Sequence, residues 1–301
     1  MAYAVDGDLI VTGIVGSSIR IDRFSPAGEP RWTRRLSSTR PEIAALTEAP
    51  TGDIVAVGQV NYAERTDPSL PPIDGQNALI LKVGPDGTVG SAFALGGTEE
   101  ERASRVVVDP DGSYVLGGHL GRAPNVWLAS VRADDTLRWS ASYRAQPLAN
   151  VAELTGLAAV PGGHLACGHL EAAGADAWLL RVDAEGMPVW VKTIVGADSD
   201  DEPSVVMALT DGLVACGRTQ VREDTVSQGD LWVVRANVDG MLHFLADTGL
   251  DCECTAAEWR RIGDHGMRTL TPTAAAVTLE VDAGRELRTD PATAFGELLT
   301  E

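Results

Sequence analysis

Short apolar runs closed by glycine recur along the chain. DGDLIVTG ends at Gly13, TGDIVAVG at Gly58, DGSYVLGG at Gly118, GGHLACG at Gly168 and TDGLVACG at Gly217, in steps of 45, 60, 50 and 49 residues. Runs this short, bounded by turn residues, suit buried strands better than helices. A second pattern follows each run. GADAWLLRVDAEGMPVW at 174–190 reads as a strand, a tight turn and a return strand, with Gly186 free to take positive φ. IRIDRFSPAGEPRW (19–32), ALILKVGPDGTVG (78–90), NVWLASVRADDTLRW (125–139) and DLWVVRANVDGMLHF (230–244) repeat the plan.

A unit near 50 residues therefore divides into four strands, a to d. In the third unit they are predicted at Ser104 to Val108, Tyr114 to Gly118, Val126 to Val131 and Leu137 to Tyr143. One four-stranded sheet cannot bury both faces alone, and packing sheets radially around a channel solves this. The expected fold is all-β: a six-bladed β-propeller of four-stranded antiparallel blades, as a single domain over 1–301. The blades are expected near 1–40, 41–101, 102–150, 151–203, 204–255 and 256–290, with a tail at 291–301. Each is expected to own its four strands. The sixth, at HGMRTLTPT and AAVTLEVDAGREL, is irregular, with Pro272 in the glycine position. Trp127, Trp178 and Trp232 recur on strand c, and Trp32, Trp139 and Trp190 on strand d, as packing wedges between blades.

Composition sharpens this picture. The chain is 44% apolar, yet no stretch approaches the roughly 20 apolar residues of a membrane-spanning helix, so no membrane insertion is expected. A net charge of −19 argues against nucleic acid and anionic lipid as partners, since both need a basic surface. Two lysines against twenty-two arginines point to a GC-rich bacterial source. The start, MAYAVDG, aligns with LAAVPGG of the fourth unit and reads as strand a, without the layout of a signal peptide.

The succession of G-x-x-x-acid-acid, DGSYVLGGHL, DAWLLRVDAEGMPVW and KTIVGADSDDEP resembles the bacterial β-propeller repeat of many surface proteins and lipoproteins, of the SBBP or delta-60 type. The likeness spans nearly the whole chain and is strongest in units three to five. It implies a propeller and, usually, an exported location; the family brings no shared catalytic residues.

Motifs that carry chemistry are absent from the sequence: no G-x-S-x-G, H-E-x-x-H, P-loop, G-x-G-x-x-G or C-x-x-C occurs. No catalytic residue, cofactor or metal site is therefore predicted. Cys167 and Cys216 share one strand b position and read as core filling. Cys252 and Cys254, in GLDCECT, read as unpaired thiols; a soft metal or a strained disulfide is the alternative, but two thiols alone make an incomplete zinc site.

Alternating strand direction sends the d–a and b–c connections to one side of every blade. Glu99, Glu100, Glu101, Asp198, Asp200, Asp201, Glu202, Asp251 and Glu253 fall there, with long b–c insertions at 61–77 and 218–230. So do Gln59, His119, His169 and Arg218, each just after a strand b. Long loops on a rigid scaffold are common binding elements. Two functions follow. The first is a non-catalytic interaction module that binds a protein or peptide, basic in character, through this acidic face. The second is a propeller enzyme, a lyase or hydrolase, with His119, His169 and Arg218 converging at the channel mouth.

Overall fold

The computed structural model describes residues 1–16, 18–37, 41–64, 73–96, 100–121, 125–146, 152–171, 175–195, 199–221, 228–237, 239–240, 242–244, 253–255, 258–261, 268–270 and 278–280, and these form strands and turns with no helix. Five antiparallel sheets follow one another along the chain. The first holds β1 (Ala2–Tyr3), β2 (Leu9–Val15), β3 (Ser18–Phe24) and β4 (Pro30–Ser37). The second holds β5 (Glu42–Glu48), β6 (Ile54–Glu64), β7 (Ile73–Val83) and β8 (Val89–Gly96). The third holds β9 (Glu101–Val108), β10 (Tyr114–Leu120), β11 (Asn125–Val131) and β12 (Leu137–Gln146). The fourth holds β13 (Ala152–Val160), β14 (Gly163–Glu171), β15 (Ala175–Asp183) and β16 (Pro188–Val195). The fifth holds β17 (Ser199–Leu209), β18 (Gly212–Val221), β19 (Gln228–Asn237) and β20 (Leu242–Phe244).

The sixth unit departs from expectation. Its described strands do not pair with one another. β21 (Glu253–Thr255), β22 (Glu258–Arg261), β23 (Arg268–Leu270) and β24 (Thr278–Glu280) instead add to the outer edges of β16, β12, β8 and β4. Four sheets thereby become five-stranded, and the chain runs back past them in reverse order. The glycine-closed apolar run that seeds each regular unit is missing here, and among the described residues no hairpin starts a sheet. The expected strand d at 284–287 lies outside the described residues. A second departure is in the first sheet, where β1 pairs only Ala2 with Ile10 and Tyr3 with Leu9. Strand a of the first sheet is thus two residues long among the described residues.

The recurrent closing glycine has a steric cause. Strand a carries a β-bulge beside it, between Ile43 and Ala45 in the second sheet and between Leu154 and Gly156 in the fourth. The bulge pushes a carbonyl toward strand b. A Cβ at Gly58, Gly118 or Gly168 would lie 1.9, 1.9 or 1.7 Å from the main-chain oxygen of Glu42, Arg102 or Glu153. Only glycine fits.

Each sheet lays its strand a on the sheet before it: β5 packs on β1 and β2, β9 on β5 to β7, β13 on β9 to β11, and β17 on β13 to β15. Trp127 and Trp178 are fully buried in these seams. Trp127 keeps its indole N–H satisfied by donating to Ser140 Oγ at 2.9 Å. The strand d tryptophans act as clasps at the c–d turns. Trp32 Nε1 donates to Pro85 O and Trp139 Nε1 to Ala184 O, each at 2.9 Å. The rings of Trp32, Trp139 and Trp190 rest on Gly87, Gly186 and Gly240, where a Cβ would lie within 2.9 Å of ring carbon. Those glycines hold φ of 82, 76 and 77°. Two separate demands, left-handed backbone and a flat seat, therefore select glycine. No comparable packing joins the fifth sheet to the first among the described residues. Exposed large apolar side chains gather on these two: Met1, Tyr3, Val5, Ile14 and Val15 on the first, Val205, Met207 and Leu209 on the fifth.

Candidate functional site

The bulge that demands glycine also positions the residue after it. Gln59, His119, His169 and Arg218 each follow the strand b glycine and stand directly across from the head of strand a, opposite Glu42, Arg102, Glu153 and Glu202. Gln59 Nε2 donates to Glu42 Oε2 at 2.5 Å. His169 Nε2 lies 3.8 Å from Glu153 Oε2. Arg218 donates to Glu202 Oε2 from Nε at 2.9 Å and from Nη2 at 2.7 Å. Arg102, opposite His119, pairs with Glu100 at 3.7 Å. The result is one polar cross-strand pair per sheet at the same end of four sheets. Three of the four candidates are thus taken up by a carboxylate of their own sheet.

The carboxylates are deployed differently from the sequence expectation. Asp198 lies outside the described residues, as do Glu99 and Asp251. Asp200, Asp201 and Glu202 belong to β17, not to a loop, and pair in register with Gln220, Thr219 and Arg218. Glu101 is 1% exposed, so it is no surface acid. Glu253 sits in β21 opposite Val195. The described parts of the long b–c insertions are strand: β6 and β7 stay paired out to Glu64 and Ile73, and β18 and β19 out to Val221 and Gln228, with 65–72 and 222–227 outside the described residues. The sequence hid this, because these polar segments carry no apolar alternation to mark a strand.

Sequence reasoning missed the opposite end of the sheets. Between the c–d turns of the second and third sheets lies a hollow of about 600 Å³, lined by Asp53, Lys82, Asp86, Thr88, Ser91 and Asp135 among others. It occupies the place where other seams hold a tryptophan clasp. Lys82 Nζ donates to Ala133 O at 2.9 Å and to Asp135 Oδ1 at 3.0 Å, and Ser91 Oγ donates to Asp135 Oδ2 at 2.8 Å. Tyr114, buried beneath, donates its hydroxyl to Asp135 Oδ1 at 3.1 Å, and burial first, then this carboxylate, raises the phenol's pKa. The repeat had carried a signal: Ser91 and Asp135 break the Trp and Gly pattern.

Short turns at this end are rich in aspartate. Asp86, Asp111 and Asp134 accept from the backbone and hydroxyls of Thr88, Ser113 and Thr136, which holds their carboxyls below the usual range. Most are turn formers. Among the described residues no group of three or more His, Cys, Asp or Glu side chains is placed to hold a metal. Cys167 is a buried free thiol pushed up to about 12 by burial, whereas Cys216 is only partly covered. Cys252 lies outside the described residues.

These features define an all-β protein of repeated four-stranded antiparallel sheets, with polar pairs along one end and aspartate-rich turns along the other. Comparison with protein-family models and with curated proteins finds no match for the chain.

Proposed function

We propose that this chain is a non-catalytic interaction module of the β-propeller type, its sheets serving as blades, that binds a basic protein or peptide through the sheet ends bearing Gln59, His119, His169, Arg218 and the β17 acids. One observation carries this reading: three of the four polar residues after the strand b glycines, Gln59, His169 and Arg218, are each matched by a carboxylate of their own sheet. A general acid or base must reach a substrate proton, and His169 beside Glu153 and Arg218 beside Glu202 form a row of separate pairs. Such a row suits recognition over an extended surface. Net charge of −19 sets the sign of the partner and gives long-range attraction that salt screens.

The test is binding of a Lys/Arg-rich peptide to the full chain and to the quadruple variant Asp198→Asn, Asp200→Asn, Asp201→Asn, Glu202→Gln. Wild-type binding falls steeply as salt rises, and the variant binds more weakly at low salt with an unchanged circular dichroism spectrum. Equal binding by both proteins would return these acids to a solubilising role.

A further inference from the structure

The hollow between the second and third sheets has a counterpart in the first sheet that is filled by arginine. Register aligns the two places. Arg23 lies opposite Trp32 and Lys82 opposite Ser91, with one bulged residue beside each pair, Arg31 in the first sheet and Gly90 in the second. Asp8 and Asp53 come just before Leu9 and Ile54, which pair with Phe24 and Val83. In the first sheet Asp8 accepts from Arg23 Nε at 2.8 Å and from Arg31 Nε and Nη2 at 3.1 and 3.4 Å, so two guanidinium groups meet one carboxylate. In the second sheet Lys82, Gly90 and Ser91 stand for Arg23, Arg31 and Trp32, and each is smaller.

The carboxylate recurs there without its cations. Lys82 turns to the third sheet, donating to Ala133 O at 2.9 Å and to Asp135 Oδ1 at 3.0 Å, where the neighbouring seams use an indole N–H on Pro85 O and Ala184 O. Among the described residues Asp53 accepts from the Thr51 hydroxyl, at 2.8 Å from Oδ2, and from no cation. Its Oδ1 converges with Asp86 Oδ1 over Gly84, where a Cβ would lie 3.8 and 3.0 Å from the two oxygens. The hydroxyls of Ser91 and Thr88 donate to Asp135 and Asp86, which leaves their lone pairs to accept. The wall comes wholly from the second sheet and Asp135 of the third, so the hollow is complete within two sheets.

We propose that this hollow binds a guanidinium group on an alkyl stem, supplied by another molecule, in the place that Arg31 takes in the first sheet. A wall of acceptors selects a cation that only donates, and the planar fork of guanidinium matches a carboxylate at two N–H groups as Arg31 matches Asp8; an ammonium has no such fork. Gly90 leaves room for the stem. It is exposed, its φ lies outside the left-handed region, and a Cβ on it would meet only Lys82 O, at 3.8 Å. The hollow lies at the opposite end of the sheets from the polar pairs and is independent of them.

The probes are acetyl-arginine amide, which stands for a peptide-borne side chain, and N-propylguanidinium, which stands for a free solute. Each is titrated calorimetrically against the full chain. Wild type binds saturably; tighter binding of the amide assigns a protein source, and equal binding a solute. Gly90→Arg rebuilds the arrangement of the first sheet, keeps the melting temperature and weakens binding at least about tenfold, as does Asp53→Asn, since each removes one charge-assisted pair with the probe. Gly90→Ala and Glu202→Gln bind like wild type, which separates this site from a backbone effect at Gly90 and from the acidic end. Absence of saturable binding to wild type, undiminished binding by Gly90→Arg or Asp53→Asn, or equal binding of the neutral acetyl-citrulline amide overturns the proposal.

Discussion

Asp135 accepts a hydrogen bond from Ser91 at 2.8 Å across the seam between the second and third sheets. The three other seams in the row place a tryptophan on a glycine at this point: Trp32 on Gly87, Trp139 on Gly186 and Trp190 on Gly240. Asp135 is also the one non-glycine residue with positive φ, at 67°, among the described residues. Loss of the tryptophan and loss of the glycine therefore go together. A ring needs a seat without Cβ, whereas a serine needs a carboxylate to reach.

That pairing predicts strong non-additivity. Ser91→Trp alone drives an indole against the Asp135 side chain and costs about 1–3 kcal/mol. Asp135→Gly alone relieves left-handed strain but loses the contacts to Lys82 and Ser91 and leaves the buried Tyr114 hydroxyl without its acceptor, a net cost of about 1–3 kcal/mol. The double variant rebuilds the clasp, with a favourable coupling of about 1–3 kcal/mol. Urea denaturation of the four proteins measures it, and additive effects would contradict the account.

The glycine seats themselves separate strain from contact. Gly28 and Gly186 have φ of 80 and 76°, but a Cβ meets nothing at Gly28 and meets the Trp139 ring at 2.9 Å at Gly186. Gly28→Ala costs about 1–2 kcal/mol from the left-handed backbone alone. Gly186→Ala costs about 1–3 kcal/mol more, because the ring must move. In a Trp139→Leu background the difference shrinks; a difference that persists there would place its cause elsewhere.

The first and second sheets are joined by a charged group rather than by apolar packing alone. Arg23, 5% exposed, donates from Nε to Asp8 at 2.8 Å and from Nη2 to Asp6 at 2.8 Å, with Glu48 of β5 at 3.7 Å. Asp8 is equally buried and also meets the exposed Arg31 at 3.1 Å. Removing the buried member leaves Asp8 with only the exposed Arg31 and takes from Glu48 its cation, so Arg23→Met costs about 3–5 kcal/mol. Removing the exposed one, by Arg31→Met, costs no more than about 1 kcal/mol. Equal costs in chemical denaturation would refute the asymmetry.

Acid sensitivity follows from the direction of the carboxylate shifts. Asp8 is held low first by the Arg23 guanidinium, and Asp86, Asp111 and Asp134 by their turn hydrogen bonds. A carboxyl whose folded pKa lies below its unfolded value, about 3.9, contributes stability that is fully present above that value. The contribution is lost as pH falls through the depressed folded values. Melting temperature should therefore hold on acidification toward pH 4 and fall below it. A main loss centred near pH 6 would implicate other groups.

How much of this was legible beforehand varies with the range of the interaction. The strands of the third unit, the closing glycines and the tryptophan wedges follow from local pattern, because a strand buried between sheets must be apolar and a tight turn must supply positive φ. Such demands act over a few residues and recur with each repeat, so the chain displays them openly. Gln59, His119, His169 and Arg218 could likewise be placed at equivalent positions by repeat alignment alone.

What those residues face was decided in three dimensions. Strand a lies some 16 residues before its partner on strand b, and only the bulged register puts Glu202 against Arg218 and Glu153 against His169. The acids at 200–202 read as a loop because DSDDEP carries no hydrophobic alternation to mark a strand. Downstream of the fifth sheet the described strands add singly to edges already formed, and edge addition uses main-chain hydrogen bonds available to any sequence. Sequence by itself determined the repeated sheet and its steric punctuation. Tertiary structure alone decided which charges are paired and where a tryptophan clasp gives way to Ser91 and Asp135, because each depends on residues brought together from separate strands or separate units.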